Sequence, residues 1–123
     1  MGDGLSTARA TSVCTTAVAA WSWTQLHTGA PGSAGTANVS STTARKATTW
    51  ATASGASVSA NGTLPAWSSW SGTNGEVVHA LSGWDASSSG NYQAAVTLSA
   101  DVTMNTGDAL SLTALTVSVP AAS

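Results

Sequence analysis

The sequence carries very little charge. Of its 123 residues, three are lysine or arginine and five are aspartate or glutamate, so 7 % are charged. An ordinary soluble domain carries about 25 %. Three cations are too few to neutralise a run of phosphates, which excludes a basic nucleic-acid binder. Disorder through self-repulsion is also excluded, because high net charge and low hydrophobicity are both missing.

Phenylalanine and isoleucine are absent, whereas serine and threonine supply 39 residues and alanine 24. The six tryptophans must therefore provide most of the large apolar surface, since each aromatic side chain buries roughly 150–250 Å². A single small domain of this composition has a thin core. We expect additional stability from a homo-oligomer or from packing into a larger assembly.

Cysteine occurs once, at Cys14, so an intrachain disulfide is excluded and no Cys/His cluster has zinc spacing. The sequence predicts no metal and no cofactor. No run approaches the ~18 apolar residues of a membrane-spanning helix, and the N-terminus shows no secretory signal pattern. We therefore expect neither a membrane nor a nucleic acid as a partner.

Small apolar side chains near the N-terminus recur at helical spacing and predict a short helix. Asp3 or Ser6 would cap it. We assign residues 1–20 to an N-terminal arm that serves as an attachment element, with Val13 and Val18 as its candidate docking residues. The stripe consists of Ala10, Val13, Cys14, Ala17 and Val18.

From Trp21 onward the apolar period is two, which is typical of half-buried strands. Turn signals separate the strands, the strongest being Asn61-Gly62. Pro65 places the following strand at a sheet edge or a bulge. The pattern predicts an antiparallel β-sandwich or jelly-roll-like domain over residues 21–123. The predicted strands cover residues 21–27, 48–53, 77–83, 92–104 with a short break after 99, and 110–119.

Residues with catalytic or metal-binding chemistry are few. His27, His79 and Asp85 could join a serine in a triad, but no G-x-S-x-G elbow is present and each histidine lies in a strand pattern where it can point outward. Asp101 and Asp108 flank a turn without the dense oxygen cluster that calcium needs. Turn formation by these aspartates is the favoured interpretation, and the chain is predicted not to be an enzyme.

The tryptophans offer two interpretations. They fill the core, as the missing phenylalanine and isoleucine suggest, or they present flat faces to a partner. Trp67 and Trp70 are the best candidates for a subunit interface or a glycan-binding surface, because their segment is rich in serine and glycine. A carbohydrate-binding module that recognises cell-wall glycans is therefore the alternative function.

Four segments form a characteristic series, at residues 26–32, 43–50, 79–85 and 105–117. The first reads LHTGAPG, the second TARKATTW and the third HALSGWD, and the fourth contains Gly107-Asp108 before Leu115-Thr116-Val117. In order and spacing they resemble a family of short virion proteins from tailed phages of actinobacteria. The first is similar to that family's LHT-x-x-PG motif, and the second to its Y-A-R-x-A-x-x-W motif with threonine in place of tyrosine. The third resembles H-x-G-L-W-D with an altered Gly and Leu order, and the fourth resembles a C-terminal pair of strands.

The resemblance spans about residues 20–119 and implies a β-rich structural subunit without enzymatic activity. It implies a location in the virion, after synthesis in the bacterial cytoplasm, as a tail-fibre component or as a capsid decoration or minor capsid protein. The implied partners are other virion proteins, such as major capsid or tail proteins, and further copies of the chain, with a trimer as the state expected of such projections. Few charges and many hydroxyl groups suit such a surface, which meets other proteins through hydrogen bonds and apolar patches.

Overall fold

The computed structural model describes residues 5–60, 64–112 and 115–118. This part of the chain forms one helix, α1 (Thr7–Val18), followed by eight strands whose pairings are all antiparallel. The mainly β class and the short N-terminal helix are thereby confirmed. The strands are β1 (Trp23–His27), β2 (Lys46–Ala47), β3 (Ser57–Ser59), β4 (Ala66–Trp67), β5 (Glu76–Trp84), β6 (Tyr92–Met104), β7 (Leu110–Ser111) and β8 (Thr116–Ser118).

Helix α1 begins where Ser6 caps it, since the Ser6 side-chain oxygen accepts a hydrogen bond from the Arg9 backbone N–H at 3.2 Å. Its inward stripe packs on the paired strands β3 and β8. The Cys14 thiol donates to the Ala56 carbonyl at 3.1 Å. The helix is thus held by tertiary packing rather than by its threonine-rich sequence. The buried stripe consists of Ala10, Cys14 and Val18.

The central sheet has the strand order β2-β1-β5-β6. Leu26, Leu81 and Val96 are directly paired across β1, β5 and β6, and so form one apolar row on the same sheet face. The first core cluster grows from this row and takes its bulk from tryptophan. Its buried members are Leu26, Trp67, Trp70, Val78, Leu81, Met104 and Leu110.

A second core cluster lies between α1 and the β3–β8 pair, and Trp21 is its largest buried side chain. Val96 and Leu112 pack against both clusters, which makes the core continuous. The Trp21 ring lies directly over Gly83. A Cβ atom placed on Gly83 would stand only 2.5 Å from the Trp21 ring carbons, so the packing requires glycine there.

The strand predicted at residues 48–53 is absent, and this prediction was wrong. The backbone N–H of Thr48 bonds to Ser22 beside β1, whereas that of Ala51 bonds to Ser59 of β3. The segment therefore crosses from one sheet to another and cannot follow either for long. Trp50 makes only an isolated bridge, to Ala60.

Strand β6 is continuous where a short break was predicted after residue 99, yet its pairing with β5 is interrupted there. Val78 pairs with Val102 and Ala80 with Thr97, so residues 98–101 bulge out of the ladder. The alternation thus located a real irregularity. The predicted turn at Asn61-Gly62 lies outside the described residues, and Pro65 is buried just before β4.

We predict that Gly83→Ala destabilises the protein by about 1–3 kcal/mol, because the added methyl group must displace the Trp21 ring. The measurement is the midpoint of urea unfolding. Thr97→Ala, at an exposed position of β6, is the control and should change the free energy of unfolding by no more than about 0.5 kcal/mol. Equal stability of G83A and the parent would contradict the packing described here.

Candidate functional site

A chain of hydrogen bonds is buried on the sheet face opposite the first core cluster, beneath the loop of residues 28–45. His27 Nδ1 lies 2.8 Å from the Ala37 carbonyl oxygen, and His27 Nε2 lies 2.6 Å from Ser82 Oγ. The Trp84 indole N–H donates to the same Ser82 oxygen at 2.7 Å. His27 and Ser82 are both 0 % exposed. The expectation that His27 points outward was wrong, because this loop folds back over it.

The partners determine the protonation of His27. A carbonyl oxygen can only accept, so Nδ1 carries the proton towards Ala37, and Nε2 is then free to accept the Ser82 hydroxyl. Ser82 in turn accepts from Trp84, which satisfies every member of the chain. Burial lowers the pKa of His27 below its usual 6.5, and the charge of Arg45 lowers it further, against the opposing effect of the backbone hydrogen bonds. The imidazole is neutral at pH 7.

The Ser82–His27 pair resembles the first two members of a catalytic triad, but it is sealed from solvent. The third partner is the Ala37 carbonyl rather than a carboxylate. Asp85 is not the third member, because its carboxylate accepts two hydrogen bonds from Asn91. These hydrogen bonds lower the pKa of Asp85. A nucleophile must reach its substrate, and this one is fully buried. The pair therefore has a structural role, which is to hold the loop of residues 28–45 on the sheet.

Arg45 holds the same loop against the sheet, a role that sequence reasoning missed. Its guanidinium carbon lies 4.0 Å from the centre of the Trp84 ring, and its Nε donates to Gln25 at 3.1 Å. A terminal nitrogen donates to the carbonyls of Ala86 and Ser89 at 2.9 and 2.7 Å. One cation thus ties the loop, β1 and the turn after β5 together.

The aspartates that raised the question of calcium have other partners. Asp108 accepts the backbone N–H of Asn105 at 2.9 Å, which confirms its predicted turn role. Asp101 lies on the exposed bulge of β6, where its Oδ1 is 2.6 Å from His79 Nδ1. In the part of the chain that the structure describes, no three metal-ligating side chains cluster together.

Trp67 and Trp70 lie in the core rather than on the surface. Each is only 2 % exposed, so neither ring can stack on a sugar or meet a neighbouring subunit. Their indole N–H groups donate to the carbonyls of Ala44 and Thr73, both at 3.0 Å. Their burial agrees with the interpretation that tryptophan fills the core, because without phenylalanine and isoleucine the first cluster needs their volume.

The two candidate docking residues of the helix, Val13 and Val18, lie on opposite faces of it and differ in exposure. Val18 faces the second core cluster and is 6 % exposed, so it is unavailable to a partner. Val13 is 38 % exposed on the outer face of α1, beside Arg9 and Ala17. Attachment through Val13 remains a prediction.

An exposed sheet edge is the surface best suited to association. Among the described residues, β6 pairs with β5 alone, so its other side presents unpaired backbone N–H and C=O groups. Residues 98–101 bulge and include Asp101, two features that discourage pairing. A second bulge lies at Gln93, since Gly83 pairs with Ala94 and Trp84 with Tyr92. Residues 94–97 have neither feature, and no lysine or proline. We call these residues the β6 edge.

A family model described as Podophage GP4 fiber I protein gp80 matches residues 6–120. The chain belongs to this family. No curated protein matches it. The fibre family makes the chain a structural component of a phage virion, assembled in the bacterial host, which confirms the coarse prediction of a tail-fibre-type virion protein.

In this fibre-family chain, helix α1 is the one helix among the described residues, and it is too short and too polar to cross a bilayer. The hydrogen bonds of His27 and Arg45 fix the loop of residues 28–45 to the central sheet.

The buried neutral His27 predicts that the fibre-family protein loses stability as the pH falls below 6.5. The unfolded chain binds a proton there and the folded chain does not, so the free energy of unfolding falls by at most about 1.4 kcal/mol per pH unit until the folded-state pKa is reached. The measurement is the urea midpoint between pH 7.5 and pH 5.

His27→Gln should be less stable than the parent at pH 7.5 and should lack this slope. His79→Ala removes the exposed histidine and should retain it. Asp85 changes the free energy of unfolding only at lower pH, because its pKa in the folded chain lies below the usual 3.8. The same slope in H27Q as in the parent would contradict the assignment.

Proposed function

We propose that the chain is a non-enzymatic outer subunit of the phage fibre apparatus, which binds other virion proteins and further copies of itself. The observation that carries the proposal is the family match over residues 6–120. The absence of enzymatic activity is supported by the burial of the Ser82–His27 pair, which leaves that pair no access to a substrate.

Self-association is proposed from the β6 edge. Backbone groups at an open sheet edge lose little by exchanging water for another strand, and natural proteins normally guard such edges with charge, proline or bulges. The β6 edge, residues 94–97, has no such guard. Ala95 and Thr97 are exposed along it, and apolar Val96 lies half-buried between them. An added strand would extend the apolar row that begins at Leu26 and Leu81.

The finer assignments belong to this proposal. A fibre location is preferred to capsid decoration or a minor capsid role, because the matching family is described as a fibre protein. A trimer and an actinobacterial host are the further expectations from sequence. A glycan-binding role for Trp67 and Trp70 is not proposed, since both rings are buried.

We predict that Ala95→Lys weakens self-association. A lysine on an open edge sets charge against the incoming strand and keeps the edge solvated. The measurement is the concentration dependence of the mass in sedimentation equilibrium, where the parent should form oligomers and A95K should shift towards the monomer. Thr36→Lys adds the same charge on an exposed loop and should behave as the parent. A monomeric parent, or identical oligomers in A95K, would argue against the β6 edge.

The location is tested by immunogold labelling of intact virions with an antibody against this chain. We expect gold particles at the tail, where a fibre subunit is exposed. Labelling over the head would reject the fibre location in favour of capsid decoration. Virions without any label, while a known tail protein is labelled in parallel, would reject an exposed virion role.

A further inference from the structure

A small pocket lies between strand β2, with the loop end that precedes it, and the serine-rich loop that follows β4. Its volume is about 130 Å³, and its lining comes from residues within 42–46 and 67–71. One water molecule takes up about 30 Å³ in the liquid. The pocket therefore has room for a single tetrahedral oxyanion and is too small for a drug-sized ligand. We call it the Lys46 pocket.

Among the described residues that line the pocket, Lys46 is the one that carries a charge. It is half-buried, and its ammonium group makes no hydrogen bond or ion pair with another described residue. Arg45, the neighbouring cation, lies over Trp84 instead, and the carboxylate of Glu76 accepts its hydrogen bonds from two serines. A partly buried ammonium without an acceptor attracts an anion and repels a cation.

Four hydroxyl groups belong to the same lining. Those of Ser68, Ser69 and Ser71 make no hydrogen bond to another described residue. The hydroxyl oxygen of Thr42 is buried and also has no partner among the described residues. A buried polar atom without a partner is unfavourable, and a bound ion or water removes the penalty. All four hydroxyls can donate, and the oxygens of an anion can accept.

The backbone of the serine-rich loop presents one of these hydroxyls at a position that favours glycine. Ser69 has a φ of +53°, in the left-handed region. The buried rings of Trp67 and Trp70 line the pocket beside it, and their indole N–H groups are already bonded to carbonyl oxygens. These rings hold the loop without competing for a ligand. The donors are thus positioned before binding, which limits the entropy that binding costs.

We propose that the Lys46 pocket binds a phosphate-type oxyanion, with the Lys46 ammonium on one oxygen and the hydroxyls of Ser68, Ser69 and Ser71 donating to the others. The lysine supplies a point charge, and the hydroxyls supply the directional donors that a tetrahedral anion needs. Free phosphate and the phosphoryl group of a phosphomonoester present the same oxygens. The inference goes beyond the structural fibre role and does not depend on it.

The test is a titration of the isotope-labelled full chain with inorganic phosphate at neutral pH, followed through the amide chemical shifts. Sodium chloride keeps the ionic strength constant. We expect saturable shifts concentrated in residues 42–46 and 67–71. Helix α1, which carries the exposed cation Arg9, is the internal control and should not shift. Shifts that do not saturate, or equal shifts in α1, would overturn the proposal.

Two phosphate esters distinguish the sources of the oxyanion. Methyl phosphate that binds as tightly as inorganic phosphate would indicate a phosphoryl group carried by a larger molecule. Weaker binding of methyl phosphate would indicate the free ion. Dimethyl phosphate has a single negative charge and fewer free oxygens, so we expect it to bind most weakly of the three. The tightest binding by this diester would overturn the proposal.

Charge variants then locate the anion. Lys46→Gln should weaken phosphate binding at least about tenfold, the loss expected when one charge-assisted hydrogen bond is removed. Lys46→Arg retains the charge and should restore most of the binding. Arg9→Gln changes the net charge by the same amount as K46Q and should bind as the parent does. Unchanged binding in K46Q, or an equal loss in R9Q, would leave an adventitious ion only and reject the pocket.

A hydroxyl variant tests the other half of the site. Ser69→Gly removes a pocket hydroxyl where glycine suits the backbone, so the variant should fold and bind phosphate several-fold more weakly. Ser89→Gly makes the same change at a φ of +54°, in the turn after β5, and should bind as the parent does. Unchanged binding in S69G, or equal losses in both variants, would contradict the proposal.

The outcomes for the pocket and for the fibre role are separate. A chain that labels virions but binds no phosphate rejects this inference alone. A chain that binds phosphate but is absent from virions rejects only the fibre role.

Discussion

The indole N–H groups of the buried and half-buried tryptophans hold this structure together. Each large ring that fills the core also carries an N–H donor, which needs a hydrogen-bond acceptor. For three of the rings the acceptor is a backbone carbonyl. Trp67 binds the carbonyl of Ala44, Trp70 that of Thr73, and Trp50 that of Trp21. Loops with little apolar content are thereby anchored to the core by the same side chains that build it. A phenylalanine core of equal volume would leave those carbonyls without these donors.

Scarce charge imposes a second constraint, because polar groups must be satisfied by hydroxyls and by the backbone. Glu76 shows the pattern, since its carboxylate accepts from the Ser40 hydroxyl and from the Ser41 N–H rather than from a cation. Arg45 likewise donates to carbonyl oxygens and lies on a ring. A surface with so few charges is suited to protein partners that it meets through hydrogen bonds and apolar contacts rather than through ion pairs.

Periodicity predicted the elements that contact one partner along their length. Helix α1, strand β5 and strand β6 were located closely, and even the bulge of β6 left a trace in the alternation. It failed at residues 48–53, where successive backbone groups bond to different sheets. It also failed at His27, because alternation separates the two faces of a strand but does not tell whether a distant loop covers the second face.

The sequence by itself determined the mainly β class, the capped N-terminal helix, the shortage of charge and the need for tryptophan in the core, since these follow from local spacing and composition. Tertiary structure alone decided how deeply each tryptophan is buried. Trp67 and Trp70 lie in serine-rich sequence and are buried, whereas Trp50 is half-buried. Burial depends on contacts between segments far apart in the chain, and these contacts cannot be predicted from the residues adjacent in sequence.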